Sequence, residues 1–213
     1  MNQSASPSPK PTSDRSLGTS AALLEAVRRL VAERGNVDFS LSDVAEASGK
    51  NSALVGYHFG GKEQLLLAAL LDSHDDLVGP LAELQAKNIP ADEKLRMHLA
   101  GFVEVNARNP HLNTLTRVLL RRSSEETAKE ITARFIDPMI AFQAAVLEQG
   151  RLEGLFRKVD PFTFFLTTIG AIDMLFAANA TVQYGFRRTE LGPKERREFA
   201  AELYAILVAG IYA

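Results

Sequence analysis

SLSDVAEASGKNSALVGYHFGGK, residues 40–62, is the stretch on which the fold turns. Ser40 and Asp43 stand three residues apart, as a helix N-cap and its reciprocal partner do, and Leu41, Val44 and Ala45 supply a short apolar face behind them. Ser48 and Gly49 end that helix. A second short helix is predicted over residues 51–58, closed by Phe59, Gly60 and Gly61, because paired glycines tolerate the left-handed backbone that stops a helix. Two short helices joined by a tight glycine turn, with a third packed behind, form the smallest unit that seats one helix in a DNA major groove. The groove is about 12 Å wide and only the first turns of such a helix reach base edges, so the length suits that task. Lys50, Asn51 and Ser52 offer hydrogen-bonding groups at its start, Ala53 permits close approach, and Tyr57, His58 and Lys62 offer donors to phosphates.

Working outward, Leu23, Val27, Leu30 and Val31 form one helical stripe, with Thr19 or Ser20 as the cap and Gly35 as the stop. On the other side a longer helix starts near Lys62, carries Leu66, Ala69, Leu70 and Leu77, and is expected to end at Gly79 and Pro80. Further helices are predicted over residues 91–108, 110–122 and 125–149. Asp160 followed by Pro161 opens another to about residue 184, and Gly192 with Pro193 opens the last. No alternating strand pattern appears. The fold class is therefore all-α: an N-terminal three-helix helix-turn-helix domain over residues 17–62, then a C-terminal helical domain over residues 63–213. Residues 1–16, rich in Ser and Pro, read as a disordered tail.

Composition narrows the function. The 213 residues are 46 % apolar, ample for a core, with a formal net charge of −2. A non-specific phosphate binder would carry a basic excess, so any DNA contact must be local. Residues 1–62 hold seven basic and six acidic side chains, and the rest seventeen and twenty. The absence of cysteine excludes disulfides and thiolate chemistry and suits the cytoplasm. The most membrane-like stretch, residues 162–180, carries Asp173 near its middle, which speaks against a membrane partner. No glycine-rich phosphate loop, nucleophile elbow or metal-spaced cluster appears, so no catalytic residue, metal or cofactor is expected. His74, Asp75 and Asp76 are adjacent and point to different helix faces. The pairs Arg121–Arg122 and Arg187–Arg188 read as solvated before they read as anion sites.

The tract SLSDVAEASGKNSALVGYHFGGKEQLL resembles the N-terminal motif of the tetracycline-repressor (TetR) family: Ala45 and Gly49 before the turn, then Tyr57, His58, Phe59, Lys62 and Glu63. The resemblance covers roughly residues 17–70. It implies that Ser40 and Ser42 touch phosphates, that Asn51, Ser52, Ala53 and Gly56 face bases, and that Tyr57, His58 and Lys62 clamp the backbone of a palindromic duplex. Lys50 departs from the family pattern, which has an apolar residue there; its stem can lie over the apolar face while its ammonium reaches a phosphate. Gly56 is the other unusual position, since glycine inside a helix costs about 0.8–1 kcal/mol against alanine.

Beyond residue 90, Phe102, Asn106, Leu115, Leu119, Phe135, Met139, Phe142, Phe165, Ile169, Asp173 and Phe176 place aromatics and a few polar groups on helices that must pack together. Such a set describes a small-molecule pocket and an ordinary core equally well. The resemblance favours the pocket and a small, largely apolar effector, with Asn106 and Asp173 as anchors. The last two helices are apolar on more than one side. Gly170, Ala171, Ala177, Ala178, Phe199, Leu203 and Ile206 are therefore the expected homodimer face. These readings together describe a repressor released from its operator by the effector. The competing readings are a helical-bundle enzyme or carrier of a small apolar ligand, and a helical protein-binding adaptor.

Overall fold

A computed structural model describes residues 13–177, 184 and 191–213, and those residues form an all-helical chain. Helix α1 (Ser13–Arg34) starts earlier than its predicted cap, so the end of the supposed tail is helical; residues 1–12 of that tail lie outside the described residues. Leu23, Ala26, Val27, Leu30 and Val31 are its buried stripe, and Gly35, at φ +66°, closes it by donating its N–H to the Val31 carbonyl at 2.9 Å. Helix α2 (Leu41–Ser48) carries the full capping box. The Ser40 Oγ accepts from the Asp43 N–H at 3.1 Å, and the Asp43 carboxylate accepts from the Ser40 N–H at 2.7 Å. Gly49 adopts the left-handed conformation (φ +65°), and helix α3 (Ala53–Phe59) follows, stopped by Gly60 at φ +77°.

The predicted helix from Lys62 to Gly79 is instead two. Helix α4 (Lys62–Leu71) ends at a break where Asp72 meets Arg28 of α1 and the buried Ser73 Oγ lies 3.0 Å from His111 Nε2. Helix α5 (His74–Ala86) then runs through Gly79 and Pro80. Pro80 lies on an exposed turn of that helix, as does Asp76 four residues before it, the residue whose carbonyl a proline cannot bond. The break satisfies buried polar groups at the joint between two cores, a constraint that apolar periodicity does not reveal.

Helices α6 (Ala91–Arg108), α7 (Leu112–Arg122) and α8 (Glu125–Ile131) follow. The helix predicted over residues 125–149 is interrupted by a π turn, Thr132–Ile136, before α9 (Asp137–Leu152). The Asp137 N–H reaches back five residues to Thr132, and Pro138, which has no N–H to give, follows at once. Asp160 caps α10 (Pro161–Ala177), its Oδ2 accepting from the Thr163 N–H at 3.0 Å. Helix α11 (Pro193–Ile211) ends the chain, and its last residues are pinned by the Ala213 N–H to Leu155 at 3.0 Å.

Two apolar cores result. The first joins α1 to α4 with Leu112, Leu115 and Leu119 of α7, Ile131 and Phe135, so the reader unit is sealed from behind by the C-terminal half. The second lies among α6, α9, α10 and α11 around Leu95, Leu99, Val146, Phe164, Ile172 and Leu207. Close packing there is set at Gly150, where a Cβ would fall 2.0 Å from the buried Phe156 ring. Leu77 and Ile136 pack against both cores.

Candidate nucleic-acid interface and ligand cavity

Helix α3 is held by one side and open on the other. Val55 is fully buried in the core that also holds Val44, Leu23 and Leu65, whereas Ala53, Gly56 and Tyr57 are exposed, Tyr57 at 82 %. Seven residues at a 1.5 Å rise make a rod of about 10 Å, the size of a single groove contact. Asn51 is exposed, and its Oδ1 accepts from the Ala53 N–H at 2.9 Å, capping α3 in place of the half-buried Ser52, whose side chain makes no cap bond. Lys50 is exposed at the turn, its N–H bonded to the Ala45 carbonyl at 3.0 Å. A Cβ added at Gly56 would meet nothing within 4 Å, so packing inside the protomer does not require glycine there. Arg29 to the Ala47 carbonyl (2.7 Å) and Arg34 to Asp43 (3.0 Å) brace α2 on α1.

Three of the predicted phosphate contacts have partners inside the protein. Ser40 donates from Oγ to Asp43 Oδ2 at 2.5 Å, which commits its proton to the cap, while Ser42 is exposed. Those bonds from Ser40, with Arg34 beside them, hold the Asp43 carboxyl well below the usual carboxylate range. Lys62 donates from Nζ to the carbonyls of Val37, at 2.6 Å, and Phe39, with the ammonium 4.7 Å from the centre of the Phe39 ring. Partial burial pushes its pKa down. His58 is half-buried between Tyr57, edge-on at 5.0 Å, and Phe59 at 6.2 Å.

In the C-terminal half, Phe102, Asn106, Phe135, Phe165, Ile169 and Asp173 do converge, around a cavity of about 350 Å³ between α6, α7 and α10. Asp173 Oδ2 accepts from Arg117 at 3.2 Å, and its Oδ1 is buried with no partner. Met139 lines a second, mainly apolar cavity of about 210 Å³ with His98 and Gly101, and Phe102 and Leu77 stand between the two. Leu119 and Leu115 lie elsewhere, in the first core against α4. Phe142 packs on His98 at 4.8 Å and lines an outer groove, and Phe176 is half-buried in the second core. Asn113, Thr116 and Arg117 also line the 350 Å³ cavity, as does Arg121, which reads as solvated in the sequence; apolar periodicity missed the first three because they sit on the polar side of α7. Their spacing at 113, 117 and 121 was the available signal. Arg122 lies by Lys62, and Arg187 and Arg188 fall outside the described residues.

Of the expected dimer face, Ile206 is exposed at 68 % and Gly170 is exposed, while Ala171 and Phe199 are half-buried and Leu203, 7 % exposed, turns into the second core. The α10 surface is apolar instead at Phe162, Leu166 and Met174, in line with Gly170 at four-residue spacing. Ala178 and the Ala177 side chain lie outside the described residues. No group of three His, Asp or Glu among the described residues could hold a metal ion, and no helix among them is long and apolar enough to cross a membrane.

A short outward-facing helix on a three-helix support, followed by a helical domain with a cavity between its helices, defines a helix-turn-helix DNA-binding regulator. The chain belongs to the TetR family: residues 23–69 match the model of bacterial regulatory proteins of the tetR family, and residues 88–213 that of the tetracyclin repressor-like C-terminal domain. It is 29 % identical over 87 residues to the HTH-type transcriptional regulator BetI of Rhizobium meliloti, a match spanning 41 % of each chain. It is 43 % identical over 72 residues to the HTH-type transcriptional repressor Rv3405c of Mycobacterium tuberculosis, 34 % of this chain and 36 % of that one. The chain thus aligns with less than half the length of these relatives. Among solved structures, PfmR of Thermus thermophilus superposes with a TM-score of 0.69 at 24 % identity, covering 88 % of this chain and 97 % of that one. FadR of Bacillus subtilis, in complex with stearoyl-CoA, superposes with a TM-score of 0.69 at 19 % identity, covering 90 % and 98 %. Both likenesses concern the fold.

Proposed function

We propose that this TetR-family regulator is a homodimeric repressor that binds a palindromic operator through α3 and leaves it when a small, largely apolar molecule enters the cavity between α6, α7 and α10. The observation that carries the DNA reading is the outward face of α3, where Ala53, Gly56 and Tyr57 are exposed on a helix anchored by the fully buried Val55. Asn51, Ala53 and Gly56 present small and hydrogen-bonding groups to base edges. Tyr57, Ser42 and Lys50 reach the flanking phosphates. Repression is favoured by the likeness to a relative named as a repressor.

Release is supported by the position of the cavity. Leu112 and Phe135 line it and belong to the core that backs α4, and the Phe135 ring meets His74, at the start of α5, edge-on at 5.5 Å. A ligand that moves either residue biases the α4–α5 joint and with it the separation of two readers in a dimer. The dimer itself is supported by the exposed apolar line on α10 and by Ile206.

The test is a salt-titrated binding assay of the full chain with palindromic DNA from beside its own gene against random duplex. The reading requires a preference of at least about 10³-fold at physiological salt. Equal binding to both duplexes overturns it.

A further inference from the structure

We infer that the 350 Å³ cavity accepts a neutral apolar molecule bearing one hydroxyl, whose O–H donates a hydrogen bond to Asp173 Oδ1. The inference rests on the reading of this cavity as the effector site and names the chemistry of its occupant. Asp173 Oδ1 is buried without a partner, while the other oxygen of the same carboxylate accepts from Arg117 at 3.2 Å. A buried acceptor left empty costs the desolvation of that atom, and the residue that carries it lines the cavity, so a turn of the carboxylate brings that oxygen to an incoming donor. Asn106, on the same cavity wall, gives an amide N–H to the Phe102 carbonyl at 2.8 Å and none to Asp173 Oδ1.

Charge decides which donor. Arg117 already faces Asp173, and Arg121 lines the same cavity. An incoming ammonium would meet two guanidinium groups, and an incoming carboxylate, though drawn to them, has no proton to give the unpaired Asp173 oxygen and sets like charge against it. A neutral O–H satisfies that oxygen without either repulsion. The remaining wall, with Phe102, Phe135, Phe165 and Ile169, takes the apolar body.

Four probes sharing one two-ring body distinguish these cases: naphthalene, 2-naphthol, 2-naphthoate and 2-naphthylmethylammonium, titrated against the full chain by calorimetry and thermal shift. 2-Naphthol is expected to bind about tenfold tighter than naphthalene, the increment of a hydrogen bond to a charged acceptor, and tighter than both ions. In Asp173→Leu the naphthol preference is expected to vanish while naphthalene binding persists. In Asp173→Asn, which keeps a neutral acceptor, it falls to roughly threefold. Equal binding of naphthol and naphthalene, tightest binding of either ion, survival of the preference in Asp173→Leu, or no binding of any probe would each overturn the assignment. Operator affinity measured with naphthol bound separates the two readings: naphthol that binds through Asp173 yet leaves operator affinity unchanged removes the release mechanism and leaves the ligand class standing.

Discussion

Lys62 Nζ donates to the carbonyl oxygen of Val37 at 2.6 Å, tying the start of α4 to the loop between α1 and α2. The residue that sequence reasoning placed on DNA thus also holds the reader together. Lys62→Met is expected to destabilise the protein by about 1–3 kcal/mol, through two orphaned carbonyls, and so to lower both Tm and operator affinity. Tyr57→Ala, at a side chain 82 % exposed, should lower operator affinity with Tm unchanged. Thermal unfolding beside DNA titration checks both.

Gly56 lies within α3 and faces outward with open space where a Cβ would stand. Gly56→Ala is therefore expected to stabilise the folded protein by about 0.5–1 kcal/mol and to weaken operator binding, because the new methyl occupies the gap that a base edge needs. A raised Tm with undiminished operator affinity would remove Gly56 from the interface.

Burial depresses His98, pressed between Phe102 and Phe142, to about 4, and His111, beside Ser73 and repelled by Arg28, also to about 4, from an ordinary 6.5. Between those values the unfolded chain takes up protons that the native chain refuses. Their contribution to stability is thus complete above about pH 6.5 and lost as pH falls toward 4, reaching about 2 kcal/mol per histidine at pH 5. Chemical denaturation at pH 7.5 and 5 should show the drop, and His111→Gln should remove about half of it.

Leu166 and Ile206 are 51 % and 68 % exposed on α10 and α11, on the side away from the second core. Leu166→Glu with Ile206→Glu should leave the monomer folded, with far-ultraviolet circular dichroism retained, and shift sedimentation from dimer to monomer. Operator binding should weaken with it, since each half-site alone binds poorly. A double variant that sediments as a dimer places the interface elsewhere.

Local chemistry made the reader legible. The Ser40 and Asp43 cap, the left-handed Gly49 and Gly60, and the stripe from Leu23 to Val31 all act over a few residues, so spacing alone locates them. The convergence of Asn106, Phe165 and Asp173 was also readable in outline, because their helices had to bury those faces somewhere. Which seam each face enters was not. Leu119 joins the core behind α4, Leu203 turns inward, and the polar residues of α7 line the cavity.

The sequence by itself determined that the chain is helical, where the caps and stops of α2 and α3 fall, and that α3 is short. Tertiary structure alone decided the break between α4 and α5, the π turn before Pro138, the inward use of Lys62, and the orphaned oxygen of Asp173. The physical reason is range. Caps and helical stripes arise from neighbours within a turn or two, whereas a buried polar atom is satisfied or left unpaired only when distant helices meet, as Ser73 meets His111 and Asp173 meets Arg117.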